Sequence, residues 1–292
     1  DTSRSLLLTA HMDEVAFIVK STEKSGLIKF YPIGGLVGKI LPGASVVIGR
    51  KRLPGVIASR SYHLISEEER KKVPEVKDLF IDVGAASKEE VKDVNTGEYI
   101  YFKSLFFTQN GLHYGKAFDD RTGCTALCET LRHYSSEKPP ISLVATFTVQ
   151  EEVGLRGGAT AAYGLKNVVF NLNLEGTTCT DRELKTSYSP ITELGKGPAV
   201  TFMDRTSITG RRLFDFVVSV AQKQGIPFQL KRGVAGGTDA GLIHLTEEGI
   251  PSVTISVPVR YIHSPWNLMS GEDFKNYCAL AKAIVQEAPD FS

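Results

Sequence analysis

The sequence predicts an α/β protein in which a helix-and-strand domain is interrupted by an inserted β-rich domain. Three observations lead there. From Ile141 onward, apolar runs of strand length alternate with segments of helical period, the pattern of a sheet with helices on both faces. From Val15 to Gln109 the texture is instead short β-rich runs broken by Gly and Pro, as in a small barrel or sandwich. The opening run Leu6-Thr9 reads as a strand of the α/β sheet although it precedes that β-rich block. The block is therefore an insertion: residues 1–15 and 110–292 are assigned to one discontinuous α/β domain, and 16–109 to the inserted domain.

In chain order, the β-rich runs are Val15-Val19, Leu27-Pro32, Ser45-Ile48, Gly55-Ala58, Leu79-Val83 and Glu98-Phe107, punctuated by Gly34-Gly35, Gly43, Pro54-Gly55, Gly84 and Gly97. Ser87-Val94 reads as helical and Ser66-Lys72 as a charged loop or short helix. A helix begins near Thr122. Ile141-Val149 and Val168-Leu174 are continuous apolar runs of strand length, and Gly154-Tyr163 is a short helix between them. Thr206-Gln224 places Leu213, Val217, Val220 and Ala221 at helical spacing; Ser252-Val257 is a strand and Gly271-Glu287 a final helix.

Composition narrows the function classes. The 34 Lys+Arg against 33 Asp+Glu give a formal net charge of +1, which excludes a grossly basic nucleic-acid binder. With 42% hydrophobic and 23% charged residues the chain belongs among globular proteins, and it contains no apolar run of membrane-spanning length. Four cysteines do not make a disulfide framework; Cys124, Cys128 and Cys278 read as small buried apolar residues, and the usage fits a reducing cytoplasm. The chain opens on Asp1-Thr2-Ser3 without Met. The expectation is a preceding segment that covers the strand carrying His11, whose edge would otherwise be exposed.

The chemistry lies at strand ends, where open α/β sheets place their sites. Five places carry metal-type side chains: His11-Met12-Asp13-Glu14, Asp119-Asp120-Arg121, Gln150-Glu151-Glu152, Glu175-Gly176-Thr177, and Tyr261-Ile262-His263. Singly, each has a plain structural explanation: a hydrogen-bonded histidine, a carboxylate capping a helix, a solvated loop. Together, two histidines and several carboxylates at successive strand termini converge on one side of the sheet and point to a metal hydrolase. A dinuclear site needs a bridging carboxylate, terminal ligands on each ion, and a carboxylate held off the metals to take a proton from water. The residues present supply that set. Asp119 bridges, His263 and Glu152 complete one ion, and His11 and Glu175 the other. Glu151 is the general base, and Asp13 orients the His11 imidazole through its other nitrogen. Asp181 competes with Glu175 as ligand.

These same residues, in the order His11-Met12-Asp13-Glu14, Ala117-Phe118-Asp119-Asp120-Arg121, Val149-Gln150-Glu151-Glu152-Val153-Gly154-Leu155-Arg156-Gly157 and Arg260-Tyr261-Ile262-His263-Ser264-Pro265, resemble the glutamyl/tetrahedral aminopeptidase family of dinuclear metallopeptidases, some members of which carry an endoglucanase label. Gly55-Val56-Ile57, His63-Leu64, Phe80-Ile81-Asp82-Val83-Gly84-Ala85 and Gly236-Gly237-Thr238-Asp239-Ala240 extend the resemblance over nearly the whole chain. It implies a mixed-sheet α/β/α metallopeptidase domain interrupted by a small β-barrel used in oligomerisation. It also implies two Zn or Co ions per chain, a cytoplasmic location, peptide substrates, and self-association from dimer up to dodecamer, with neither nucleic acid nor membrane as partner. Gly236, Gly237 and Asp239 resemble the substrate-side loop; the alternative is a helix N-terminus capped by Thr238 or Asp239.

The expected reaction is removal of N-terminal residues by a hydroxide shared between the ions, with Glu151 moving the proton. The rivals are a dinuclear amidohydrolase acting on N-acyl or other small amides, separated by comparing free-amine and N-blocked substrates, and a non-catalytic assembly subunit, separated by metal content. Glycoside hydrolysis generally uses two carboxylates without histidine-bound metals, which disfavours an endoglucanase. His63, His113, His133 and His244 read as structural, and Arg156, Lys231 and Arg232 are candidates for pairing with an acidic substrate side chain.

Overall fold

The computed structural model describes residues 4–64, 66–182 and 189–291; Asp1, Thr2 and Ser3, where the expectation of a preceding segment begins, lie outside them. The chain divides into two units, one of Asp1–Asp13, Phe107–Ile262 and Asn267–Ser292, the other of Glu14–Phe106 with His263–Trp266. β1 (Ser5–His11) belongs to the first. The second contains β2 (Ala16–Thr22), β3 (Ile28–Ile33), β4 (Ser45–Ile48), β5 (Leu53–Ala58), the short helix α1 (Glu67–Lys71), β6 (Phe80–Asp82) and β7 (Tyr99–Phe102). The first unit resumes with β8 (Phe107–Gln109), β9 (Leu112–Gly115), α2 (Phe118–Ser136), β10 (Ser142–Thr148), α3 (Arg156–Ala161), β11 (Val168–Thr178) and β12 (Ala199–Thr201). It ends with α4 (Arg211–Lys223), β13 (Gln229–Leu230), α5 (Ala240–Ile243), β14 (Ser252–Arg260), β15 (Asn267–Ser270) and α6 (Gly271–Glu287).

Among the described residues the first unit is built on a nine-stranded mixed sheet in the order β10-β1-β11-β14-β15-β9-β8, with β12 and β13 attached beside β14. β10, β1, β11 and β14 run parallel; β15, β9 and β8 continue antiparallel. The interior parallel strands β1, β11 and β14 are buried along most of their length, as expected when both faces are covered. Alternation along β1 sends Leu6 and Leu8 into a core with Leu127 of α2, Val217 of α4 and Leu280 of α6. Leu7 goes to the opposite face, against Ala162 and Ile243 beside α3 and α5. β1 is hydrogen-bonded on both sides. It is thus an interior strand, and the edge expected on the strand carrying His11 belongs instead to β10.

The second unit is a closed barrel, β2-β3-β6-β5-β4-β7. Phe17, Phe30, Val46, Ile57, Ile81 and Phe102 fill its interior. The rings of Phe30 and Phe102 stand edge-to-face on Phe17, at 5.0 and 5.2 Å. Closure pairs every strand and decides for a barrel over a sandwich.

Several expectations change. The helix expected from Thr206 starts at Arg211. The Asp204 carboxylate accepts the Thr206 and Ser207 amides, both at 2.7 Å, and this local turn displaces the helix. Glu98-Phe107 splits into β7 in the barrel and β8 in the main sheet. Cys128 is exposed where burial was expected; Cys124 is partly buried and Cys278 buried, and all four cysteines are free thiols. No helix among the described residues is long and apolar enough to cross a membrane.

Candidate metal centre

The register of the parallel strands brings their carboxyl ends together. His11 pairs with Thr148, Thr9 with Asn173, and Glu175 with Ser256, so His11 and Glu175 end up level on one face. The loop after β10 carries Glu151 and Glu152 to the same end of the sheet. Two loop residues next to the site, Ala117 (φ 55°) and Gln150 (φ 62°), have left-handed backbone. Such conformations cost non-glycine residues about 1–3 kcal/mol and concentrate at functional sites.

His11, 1% exposed, is the centre of the cluster. Its Nε2 lies 3.0 Å from Asp119 Oδ1, 3.6 Å from Glu175 Oε2 and 3.9 Å from Glu151 Oε2. Its Nδ1 lies 3.5 Å from Asp13 Oδ1. Asp13 also accepts the amides of Glu151 and Glu152, each at 3.2 Å, which fixes the loop that carries both glutamates. One ligand atom from each of His11, Asp119 and Glu175 falls within 4.8 Å of the others. A nitrogen and two carboxylate oxygens at that spacing could hold a divalent metal ion.

The electrostatics follow from crowding acids in a buried place. Burial alone lowers the His11 imidazole, but Glu175, Asp119 and Asp13 outweigh it and hold its pKa well above the ordinary value. Burial pushes the Glu151 carboxyl up to about 8, and the neighbouring carboxylates of Asp119, Glu152 and Asp239 add to the effect against the opposing pull of His11. Glu175 is raised for the same reason, burial first and Asp120 next. Asp13 goes the other way: burial opposes ionisation, but its bonds to His11 and the two glutamate amides keep it below the usual range.

Asp181, the competitor of Glu175, lies elsewhere: Arg260 donates to both of its oxygens, at 2.6 and 2.7 Å. His263 occupies the turn between β14 and β15, its Nδ1 3.1 Å from the Gly35 carbonyl. Gly236 is exposed at φ 69° and its carbonyl accepts the Arg205 amide at 2.9 Å; a Cβ on Gly237 would strike Thr206. Asp239 stands at the start of α5 but caps no amide. Buried at 1% exposure, it accepts the Thr148 hydroxyl and packs against Gly158. Arg156 and Arg232 are exposed, whereas Lys231 is buried and donates to the Ala235 carbonyl at 3.0 Å.

Sequence reasoning missed the part played by Asp120. Fully buried, it accepts the His11 amide at 3.2 Å and the Gly123 amide at 2.9 Å. It therefore serves the capping role that the sequence left open for the Asp119-Asp120 pair, and ties α2 to the end of β1. Its signal was present as the Gly three residues downstream. Thr148, which holds Asp239, gave no such signal.

Comparison with known proteins completes the picture. A sequence model of the M42 glutamyl aminopeptidases matches residues 1–280. The lysyl aminopeptidase of Pyrococcus furiosus is 30% identical over 290 residues, covering 97% of this chain and 81% of the relative. Among solved structures, the TET aminopeptidase of the marine sediment archaeon Thaumarchaeota archaeon SCGC AB-539-E09 superposes with a TM-score of 0.94 at 38% identity, over 100% of this chain and 85% of that one. The TET1 peptidase of Pyrococcus horikoshii, which can assemble into a tetrahedron or a large octahedral shell, gives a TM-score of 0.87 at 31% identity, over 98% and 84%.

Proposed function

The chain belongs to the M42 glutamyl aminopeptidase family, and from that premise we propose that it is a metal-dependent aminopeptidase working with two divalent ions, Zn or Co. His11, Asp119 and Glu175 hold one ion; Asp119, Glu152 and His263 hold the other. Support comes chiefly from one observation: a buried imidazole with the carboxylates of Asp119, Glu175, Glu151 and Asp13 within 3.9 Å of its nitrogens. Acids crowded in this way without cations are costly, and divalent ions relieve the repulsion.

When bound, the ions supply Lewis acidity toward the scissile carbonyl and acidify the attacking water. The rest falls to the chain. Glu151, beside the ligand Glu152 in sequence, takes the water proton and returns it to the leaving amine. Asp13 keeps the His11 ring turned so that Nε2 faces the cation. Gly236 and Gly237 form the substrate side: the missing side chain of Gly236 leaves room for peptide backbone to approach, and that of Gly237 lets the loop pack against Thr206. Asp239 acts behind them by anchoring α5 to Thr148. Self-association through the barrel, up to a dodecamer such as the solved relative PhTET1-12s shows in its asymmetric unit, is part of the same proposal.

Glu151→Gln is the direct test of the base. The variant is expected to keep its metal content and lose about 10²–10⁴-fold in kcat on aminoacyl-nitroanilides. Hydrolysis near the wild-type rate contradicts the assignment.

A further inference from the structure

The turn His263–Trp266 leaves the main sheet between β14 and β15, yet its contacts group it with the barrel. Two barrel residues grip it. His263 Nδ1 stands 3.1 Å from the Gly35 carbonyl oxygen, and the Ser104 hydroxyl donates to the Pro265 carbonyl. Gly35 follows β3 and Ser104 follows β7, so two separate barrel loops converge on one turn. The turn is also closed on itself: the Ser264 hydroxyl donates to the Trp266 carbonyl at 2.6 Å and accepts the Trp266 amide at 3.3 Å. His263 itself sits at φ 57°, a left-handed conformation that neighbouring contacts must maintain.

A carbonyl is an acceptor only, so Gly35 selects the tautomer with the proton on Nδ1 and leaves Nε2 as the nitrogen with a lone pair. Position 35 also needs its glycine. A Cβ there would come within 3.1 Å of Nδ1 and 3.5 Å of Cε1, crowding the part of the ring that bonds the carbonyl.

We propose that Gly35 is a positioning residue for the second metal ion: the inserted barrel sets the tautomer and orientation of His263, and Ser104 holds the turn that carries it. The proposal rests on His263 being a ligand, as assigned above. Its consequence is linkage. Occupancy of the ion at His263 depends on the Gly35 and Ser104 loops of the barrel, and that ion in turn stabilises those loops.

The test is titration of metal-free protein with Co²⁺, followed by visible absorption and by metal content after equilibrium dialysis. Wild type, Gly35→Val, Gly35→Ala, Ser104→Ala and His263→Ala are compared. Wild type is expected to take up two ions and His263→Ala one. Gly35→Val should bind the first ion as wild type does and the second about 10–100-fold more weakly. Gly35→Ala and Ser104→Ala should show the same selective loss to a smaller degree. Two ions bound to Gly35→Val with wild-type affinities overturn the proposal. If thermal melting shows that Gly35→Val does not fold, wild-type binding by Gly35→Ala overturns it equally. Identical uptake by wild type and His263→Ala contradicts instead the assignment of His263 as a ligand.

Discussion

At the scale of single residues, the protonation of the acid cluster makes metal binding and stability depend on pH with a definite sign. In the metal-free protein Glu151 is pushed up to about 8, and Glu175 and His11 are also raised. A carboxyl whose folded pKa exceeds its unfolded value binds more protons when folded, so it stabilises at low pH and loses that contribution as pH rises. A raised histidine acts in the same direction. The metal-free protein should therefore melt at progressively lower temperature from about pH 5 to about pH 9. Divalent ions need neutral imidazole and ionised carboxylates, so their uptake near neutrality releases protons. Calorimetric titration in buffers of different ionisation enthalpy should read a net release, and saturating metal at 100 times its Kd should restore about 2.7 kcal/mol. A melting temperature that rises with pH without metal, or uptake with no proton release, contradicts the description of the cluster. Legibility differed from residue to residue here. His11, Asp119 and Glu151 stood out only together: each alone has a plain structural explanation, but charged side chains gathered at the ends of several apolar strands have few joint uses. Asp119 was assigned as the bridging ligand from the sequence, whereas the bond of Asp120 to the His11 amide and the engagement of Asp181 by Arg260 are contacts that no spacing encodes.

Among the elements, long buried ones were legible and short polar ones were not. α6 was expected at Gly271-Glu287 and forms over Gly271–Glu287, with Ser270 capping the Asp273 amide at 3.2 Å. β11 was expected to stop at Leu174 but runs to Thr178, and β14 runs past Val257 to Arg260. Both extensions are pairing with neighbours, Gly176 with Val257 and Thr178 with Val259, rather than local preference. β9, β12 and β15 are three or four residues long and owe their existence to antiparallel partners distant in sequence. Thr148 closes β10 and its hydroxyl bonds the buried Asp239 carboxylate at the start of α5. Thr148→Val keeps the shape and removes that donor, so it should cost about 1–3 kcal/mol in denaturant unfolding. An unchanged unfolding midpoint would mean that Asp239 does not need the bond.

For the molecule as a whole, the insertion was legible because the texture changes at both of its ends, and closure into a barrel followed from pairing. The sheet placed His11, Glu151, Glu152 and Glu175 at one end for a reason older than any motif: parallel strands in register deliver their carboxyl ends together. Family membership is what supports proposing this cluster of acids as the peptidase site. Two ions are proposed to sit there, sharing Asp119. The most direct test is an anomalous-difference map from crystals of the cobalt-loaded protein, collected on either side of the cobalt absorption edge. Two peaks about 3.5–4 Å apart are expected, one against His11 and Glu175, the other against Glu152 and His263, with Asp119 between them. A single peak, or peaks away from His11 and Asp119, would rule out a two-ion site at these residues.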